Sequence, residues 1–255
     1  MKLALLSDLH ANLQALEACL AHAHTQGADQ FAFLGDLVGY GGQPAEVLDH
    51  VQALATQGAV VLKGNHDEMA LSPPADAAQH GSGTAAWTGA QLSPTQRQFL
   101  ATLPLTCHLP QLLLVHASAH QPERWRYVED ERAAAASLDA AQGLHSDVHH
   151  VFGGHVHHQR LFYRGAGHGL MHFDPRPGVP VPTPRHRHWL ATVGSVGQPR
   201  DGDPRAMYAV FDRQASVLTF HRVPYDHMAA AAAVRHCGLP PALAEQLAQR
   251  LENGR

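Results

Sequence analysis

The chain is poor in cysteine, in basic residues and in long apolar runs, and each shortage narrows what it can be. Its three cysteines (Cys19, Cys107, Cys237) stand alone, odd in number and without metal spacing. That argues against a disulfide framework and makes a reducing, cytoplasmic compartment the expected setting. Lysine and arginine number 18 against 22 acidic residues, a formal charge of −4, so a basic surface for nucleic acid is not expected. No apolar run approaches the length of a membrane span. The opening Met1-Lys2-Leu3-Ala4-Leu5-Leu6 runs straight into Ser7-Asp8, too short for a signal-peptide core. Also missing are a Gly-x-Ser-x-Gly elbow, a Walker P-loop and a Rossmann fingerprint opening a helix. What remains is a globular composition, 45% apolar and 16% charged over 255 residues. It reads as a single domain spanning 1–255.

Periodicity supplies the layout. Lys2 to Leu6 reads as a buried strand, and Leu13, Leu16 and Leu20 give a helix from an Asn12 cap to about Gln26. Phe31 to Leu34 is a second strand, Pro44 opens a second helix, and Val60 to Leu62 is a third strand. This β-α-β-α-β order over about 65 residues implies right-handed crossovers and a parallel sheet. Residues 67–103 read as helical, around Thr84 to Gln91 and from Ser93-Pro94 through Leu103. Two apolar runs follow, Thr106 to Leu109 and Leu112 to Val115. Glu129 to Ala141 is an Ala-rich helix, and Val148 to Phe152 is a strand. The last third reads as antiparallel strands closed by two helices, Asp226 to His236 and Pro240 to Leu251. Asp174 to Arg185, with five prolines, cannot be a central strand and reads as an extended loop or edge excursion. It is a candidate to cover the functional site or to pair with a second copy in a homo-oligomer.

Histidine is abundant, at 22 residues. Most of those outside the motifs below read as solvated surface residues, and clusters such as His149-His150 and His186-Arg187-His188 read as adventitious metal binders without catalytic weight. A different set recurs at strand ends: Asp8 and His10, Asp36, Asn65 with His66 and Asp67, His116, then His155 and His157. Loops at the carboxyl ends of strands are where α/β sheets place ligands. Asp8-Leu9-His10 and His155-Val156-His157 each put two side chains on one side of an extended segment. Oxygen and imidazole donors without sulfur suit Mn, Fe, Zn, Ni or Co, with Mn or Fe favoured, rather than calcium. Seven such donors exceed one tetrahedral centre and suffice for two ions sharing a carboxylate. Such a pair clamps the attacking and leaving oxygens of a phosphoryl displacement, with ion-bound hydroxide as the in-line nucleophile.

In order, Asp8-Leu9-His10, Gly35-Asp36, Gly64-Asn65-His66-Asp67, His116 and Gly154-His155-Val156-His157 resemble the five blocks of the calcineurin-like metallophosphoesterase superfamily. The run from Val193 to Ala206 resembles a block of its bacterial and archaeal branch of predicted phosphodiesterases, related to diadenosine tetraphosphatases. The resemblance implies an α/β fold, a four-layer α/β/β/α sandwich of two mixed sheets flanked by helices. It further implies Asp8, His10 and His157 on a first metal, Asp36 bridging, and Asn65, His116 and His155 on a second. His66 would protonate the leaving oxygen or touch the phosphate, with Asp67 fixing its ring. The implied activity is hydrolysis of a small, nucleotide-like or other phosphoester. A non-catalytic metal-binding scaffold, a dinucleoside polyphosphate hydrolase and a protein phosphatase are the alternatives. Where related phosphatases carry a phosphate-gripping Arg after the bridging Asp, this chain has Leu37-Val38-Gly39-Tyr40-Gly41. Tyr40, if not simply a core tyrosine, and Arg200, if not simply a solvated loop residue, are the candidate substrate contacts.

Overall fold

The computed structural model describes residues 1–75, 82–165 and 169–255. β1 (Lys2–Leu6), α1 (Leu13–Thr25), β2 (Gln30–Phe33), α2 (Pro44–Thr56) and β3 (Val60–Val61) form the expected alternation. β1 runs parallel to β2, and β2 to β3. The Asn12 side chain accepts the Ala15 N–H at 3.1 Å and caps α1. Asn65-His66-Asp67 then opens a short helix, α3 (Asn65–Leu71). α4 (Ala85–Gln91) and α5 (Pro94–Thr102) follow. Residues 76–81, within the stretch expected to be helical, lie outside the described residues. β4 (Thr106–Leu109) and β5 (Leu112–Val115) form a hairpin turning at Gln111, whose φ is +68°. The rest of the order is α6 (Glu131–Leu144), β6 (His150–Gly153), β7 (Gln159–Arg164), β8 (Leu170–Phe173), β9 (Pro180–Pro182), β10 (His188–Val193), β11 (Ala206–Asp212), β12 (Val217–Val223), α7 (His227–His236) and α8 (Pro241–Asn253).

Two six-stranded mixed sheets result, β3-β2-β1-β11-β12-β9 and β4-β5-β6-β10-β7-β8. The continuous apolar run of β1 is explained by covering on both faces. Leu3 and Leu5 point between the sheets with Leu112, Leu114, Phe152 and Phe220, while Ala4 and Leu6 point outward against α1 and α2 through Leu16, Val47 and Val51. On the far side, Ala134, Leu138 and Ala141 of α6 cover Leu113, Val115, Val151 and Leu190. This is the α/β/β/α sandwich. α7 and α8 pair through Ala230, Val234, Leu247 and Leu251, with Tyr40 packed against them. No helix of the described residues is long and apolar enough to cross a membrane.

Two expectations need correction. The C-terminal strands are not all antiparallel, because β10 runs parallel to β6. A parallel neighbour requires the chain to travel back to the starting end of the sheet, and the long excursion after β8 does so. The Pro-rich stretch within that excursion also does not cover the strand ends that carry the candidate residues. Pro180–Pro182 forms an edge strand on β12, and Thr183 O accepts from His150 Nε2 at 2.9 Å. His150 opens β6, so the stretch sits at the opposite end of that strand from His155.

His150 is buried rather than solvated, as is His221 on β12. Burial pushes each imidazole down to about 4. Below pH 6.5 the unfolded chain therefore takes up protons that the folded chain refuses until about pH 4. Stability held above pH 6.5 is lost as pH falls through that window. Thermal melts in chelator between pH 7.5 and 4 are expected to show this slope, and His150→Gln to flatten it. An unchanged slope in the variant would assign the loss to other groups.

Candidate metal centre

The loops after β1 and β2 are zipped together by backbone hydrogen bonds, Asp8 N–H to Gly35 O, His10 N–H to Asp36 O and Ala11 N–H to Leu37 O, each 3.0 Å. This ladder forces an unusual backbone. Asp8, His10, Asp36, His155 and His157 all have φ between +46° and +68°. Positive φ is uncommon outside glycine, and clusters of such residues gather at functional sites. Close approach explains two of the glycines. A Cβ at Gly64 would overlap the Asp36 backbone and Oδ1, and one at Gly154 would overlap Ser7 and Asp8.

The loops bring seven predicted donors together. His10 Nδ1–H faces Val38 O at 3.3 Å, and His157 Nδ1–H donates to Gln198 O at 2.6 Å. Their Nε2 lone pairs then face each other at 3.0 Å, with His157 Nε2 also 3.3 Å from Asp8 Oδ1. In the same way His116 Nδ1–H donates to Leu34 O at 2.8 Å. Its Nε2 lies 3.4 Å from Asp36 Oδ2, 3.2 Å from Asn65 Oδ1 and 3.2 Å from His155 Nδ1. With the far nitrogens satisfied by carbonyls, the neutral tautomers leave acceptor opposite acceptor. Asp8 Oδ1 and His155 Nε2 are buried without a hydrogen-bond partner. Ligand atoms of Asp8, His10 and His157, and separately of Asp36, His116 and His155, lie within 4.8 Å of one another. Buried acceptors crowded like this suit positive ions, and a nitrogen–oxygen set without sulfur suits transition metals. The donor set fits two such ions, and carbonyl-oriented imidazoles are the usual supporting arrangement.

The electrostatics agree. Burial alone would raise Asp8, but His157 beside it holds the carboxyl well below the usual range. Asp36 is likewise held low by His116 and His66 against the effect of burial. Burial works against a charged His116, yet Asp36 lifts it to about 9. Burial and the neighbouring His116 press His155 down to about 4. The ring charges are thus uneven, with positive charge drawn to His116 beside Asp36.

A cavity of about 170 Å³ opens onto these groups, lined by Asp36, Asn65, His66, His155 and His157 together with Tyr40, Tyr127, Arg200 and Arg250. His66 is 6% exposed, its N–H bonded to Asp36 Oδ1 at 2.8 Å and its ring 4.4 Å from that of Tyr40. Burial lowers its pKa and Asp36 pulls it back up. Both tentative substrate contacts therefore reach the cavity, and the Arg200 guanidinium lies 5.7 Å from the Tyr40 ring centre. Tyr127 and Arg250 were not foreseen. Tyr127 follows a loop turned by left-handed Gln121 and Trp125 and stacks on His155 at 4.1 Å, and Arg250 comes from α8.

Asp67 does not orient His66. Successive residues at a helix start diverge rather than face each other, and the Asp67 carboxylate turns to backbone amides instead. Oδ1 accepts from Leu37 and Val38 at 2.9 and 3.2 Å, and Oδ2 from Gly64 at 2.8 Å. Its work is to staple the loop after β2 to the start of α3. The strap 194–198 does the same for the Asp8 loop, since Ser195 Oγ–H donates to Asp8 O at 2.9 Å and Gly197 N–H to the same oxygen. Gly197 is accordingly a close contact, where a Cβ would overlap the Leu9 carbonyl.

A family model for the calcineurin-like phosphoesterase superfamily domain matches residues 1–216, most of the chain. The chain belongs to the calcineurin-like phosphoesterase superfamily. Its structure is similar to a crystal structure of a metallophosphoesterase from Sphaerobacter thermophilus, with a TM-score of 0.84 and 34% identity over 100% of this chain and 99% of that one. It also resembles an uncharacterized protein of Methanocaldococcus jannaschii, 29% identical over 251 residues and 96% of each chain. A hypothetical protein from Pyrococcus horikoshii OT3 shares the fold at a TM-score of 0.74 and 19% identity, over 100% of this chain and 98% of that one. Arg250 lies beyond the superfamily match.

Asp67→Asn separates the stapling role from the ring-orienting one. Amide nitrogen would face the Gly64 N–H, costing about 1–3 kcal/mol and lowering Tm by roughly 4–8 °C. Activity measured well below Tm is expected to fall less than tenfold. A loss above a hundredfold at unchanged Tm would return Asp67 to His66.

Proposed function

We propose that the chain is a dinuclear-metal-dependent phosphoesterase acting on small phosphoesters, working as one domain in the cytoplasm. The observation that carries this reading is the convergence of six buried donors and the half-buried Asn65, with lone pair facing lone pair, beneath a cavity that also holds His66. Asp8, His10 and His157 would hold one ion, Asn65, His116 and His155 the other, and Asp36 both. Bound there, the two ions would supply Lewis acidity and an activated water to the phosphoryl group.

The chain's own residues do the remainder. Asp36 is fixed by the His66 amide through Oδ1, which leaves Oδ2 toward His116 and His10. His66, backed against Gly39, would give a proton to the leaving oxygen, with Asp36 opposing the lowering that burial imposes on it. Tyr40 walls the cavity beside both His10 and His66. The cavity lies below the range usual for whole drug-sized ligands. That size favours a phosphoryl group with its substituent projecting outward, hence a small phosphoester over an enclosed dinucleotide. The presence of His66 in the cavity favours an enzyme over a metal-stabilised scaffold.

The test is hydrolysis of bis(p-nitrophenyl) phosphate and p-nitrophenyl phosphate with Mn. Asp36→Asn and His66→Ala are each expected to lower kcat by at least a hundredfold. Full activity in purified Asp36→Asn would reject the proposal.

A further inference from the structure

The loop carrying Arg200 and the end of α8 carrying Arg250 are built as one unit. Gly202 N–H donates to Gly254 O at 2.8 Å, and the left-handed Gly254 sits against the Asp203 backbone. Arg222 pairs with Asp201 and reaches Asp203, and Arg205 pairs with Asp203. The acids of this loop are thus taken by arginines that face away from the cavity. Arg200 bonds only the neutral Gln198 Oε1, at 2.9 Å through Nη2. Among the described residues, neither Arg200 nor Arg250 has an ion-pair partner, yet both line the cavity. Asp36, the one carboxylate in its wall, is already engaged with His66 and His116. Two guanidinium groups left without counter-charge on a preformed wall are a receptor for an anion.

The anion is not the scissile phosphate. Among the described residues Arg200 makes no ion pair with Asp36, and its guanidinium lies 5.7 Å from the centre of the Tyr40 ring, which itself packs 4.7 Å from the ring of His10. The guanidinium thus packs on the Tyr40 side of the cavity wall rather than on the donor carboxylates. We propose that Arg200 and Arg250 form a second anion subsite, which selects phosphoesters bearing a further phosphate or carboxylate a few bonds from the scissile phosphorus. The inference rests on the phosphoesterase reading, and it gives α8, outside the superfamily match, a share in substrate choice through Arg250.

Three probes sharing a three-carbon phosphoester test it: glycerol 3-phosphate, 3-phosphoglycerate, which adds a carboxylate, and 2,3-bisphosphoglycerate, which adds a phosphate. Dissociation constants are read by calorimetry on Mn-loaded His66→Ala, so that binding is measured without turnover, and phosphate release is read on the wild type. At least one added anion is expected to tighten binding about tenfold or more. Arg250→Gln and Arg200→Gln should each remove most of that difference, and Arg250→Lys should restore part of it. In turnover the change falls on KM rather than kcat. The carboxylate and phosphate arms tell which anion is taken. Equal affinity for all three probes, or an equal loss on all three in Arg250→Gln, would overturn the subsite. Selective binding with no turnover of any phosphoester by the wild type would instead overturn the enzymatic reading and leave the subsite standing.

Discussion

Everything in this structure leans on one constraint: seven potential ligands from five chain segments, all buried but the half-buried Asn65, meet with fewer proton donors than acceptors between them. Such crowding is unfavourable without positive charge, and the backbone adds to the cost, because five of the seven donors sit at positive φ. The fold holds the arrangement by bracing each loop from behind. Asp67 staples one, Ser195 another, and carbonyls of Leu34, Val38 and Gln198 fix the imidazoles. Rigid sheets on either side then keep the strand ends from relaxing apart. Cations placed among these donors would turn the repulsion into the strongest interaction in the molecule.

This division between strain and support explains how much was legible in the chain. Leu3 to Leu6 alternates between two covered faces, so its run of apolar residues announces a buried parallel strand. The hairpin Thr106–Leu109 and Leu112–Val115 was delimited by Pro110-Gln111, and five prolines kept 174–185 at a sheet edge. The donors themselves were visible because each follows a strand. Less visible were pairings set by tertiary geometry. The parallel placement of β10 beside β6 depends on a crossover whose direction no local pattern encodes. Asp67 looked like a partner for His66 because the two are adjacent, and helix geometry turned it away. His150 looked solvated until the Pro-rich return buried it.

The walls of the cavity were the least legible part. Tyr127 and Arg250 come from distant segments, and neither carries a local signal that separates it from an ordinary surface residue. One local pairing does leave Arg200 out: within the run Asp201-Gly202-Asp203-Pro204-Arg205, Arg205 takes Asp203, while Asp201 goes to the distant Arg222. The C-terminal helical pair, though beyond the superfamily match, packs on Tyr40 and hydrogen-bonds to that loop. The candidate metal-binding residues and most of the cavity wall lie within the superfamily match, and Arg250 of α8 completes that wall from beyond it.

The central claim is that the crowded donors exist to hold two cations. Calorimetric titration of Mn into chelator-treated protein at neutral pH, followed by thermal melts, tests it most directly. The account predicts two ions bound per chain, protons released on binding as His116 gives up its extra proton, and a Tm raised by ten degrees or more. Binding of fewer than two ions, or two ions with no change in Tm, would contradict it.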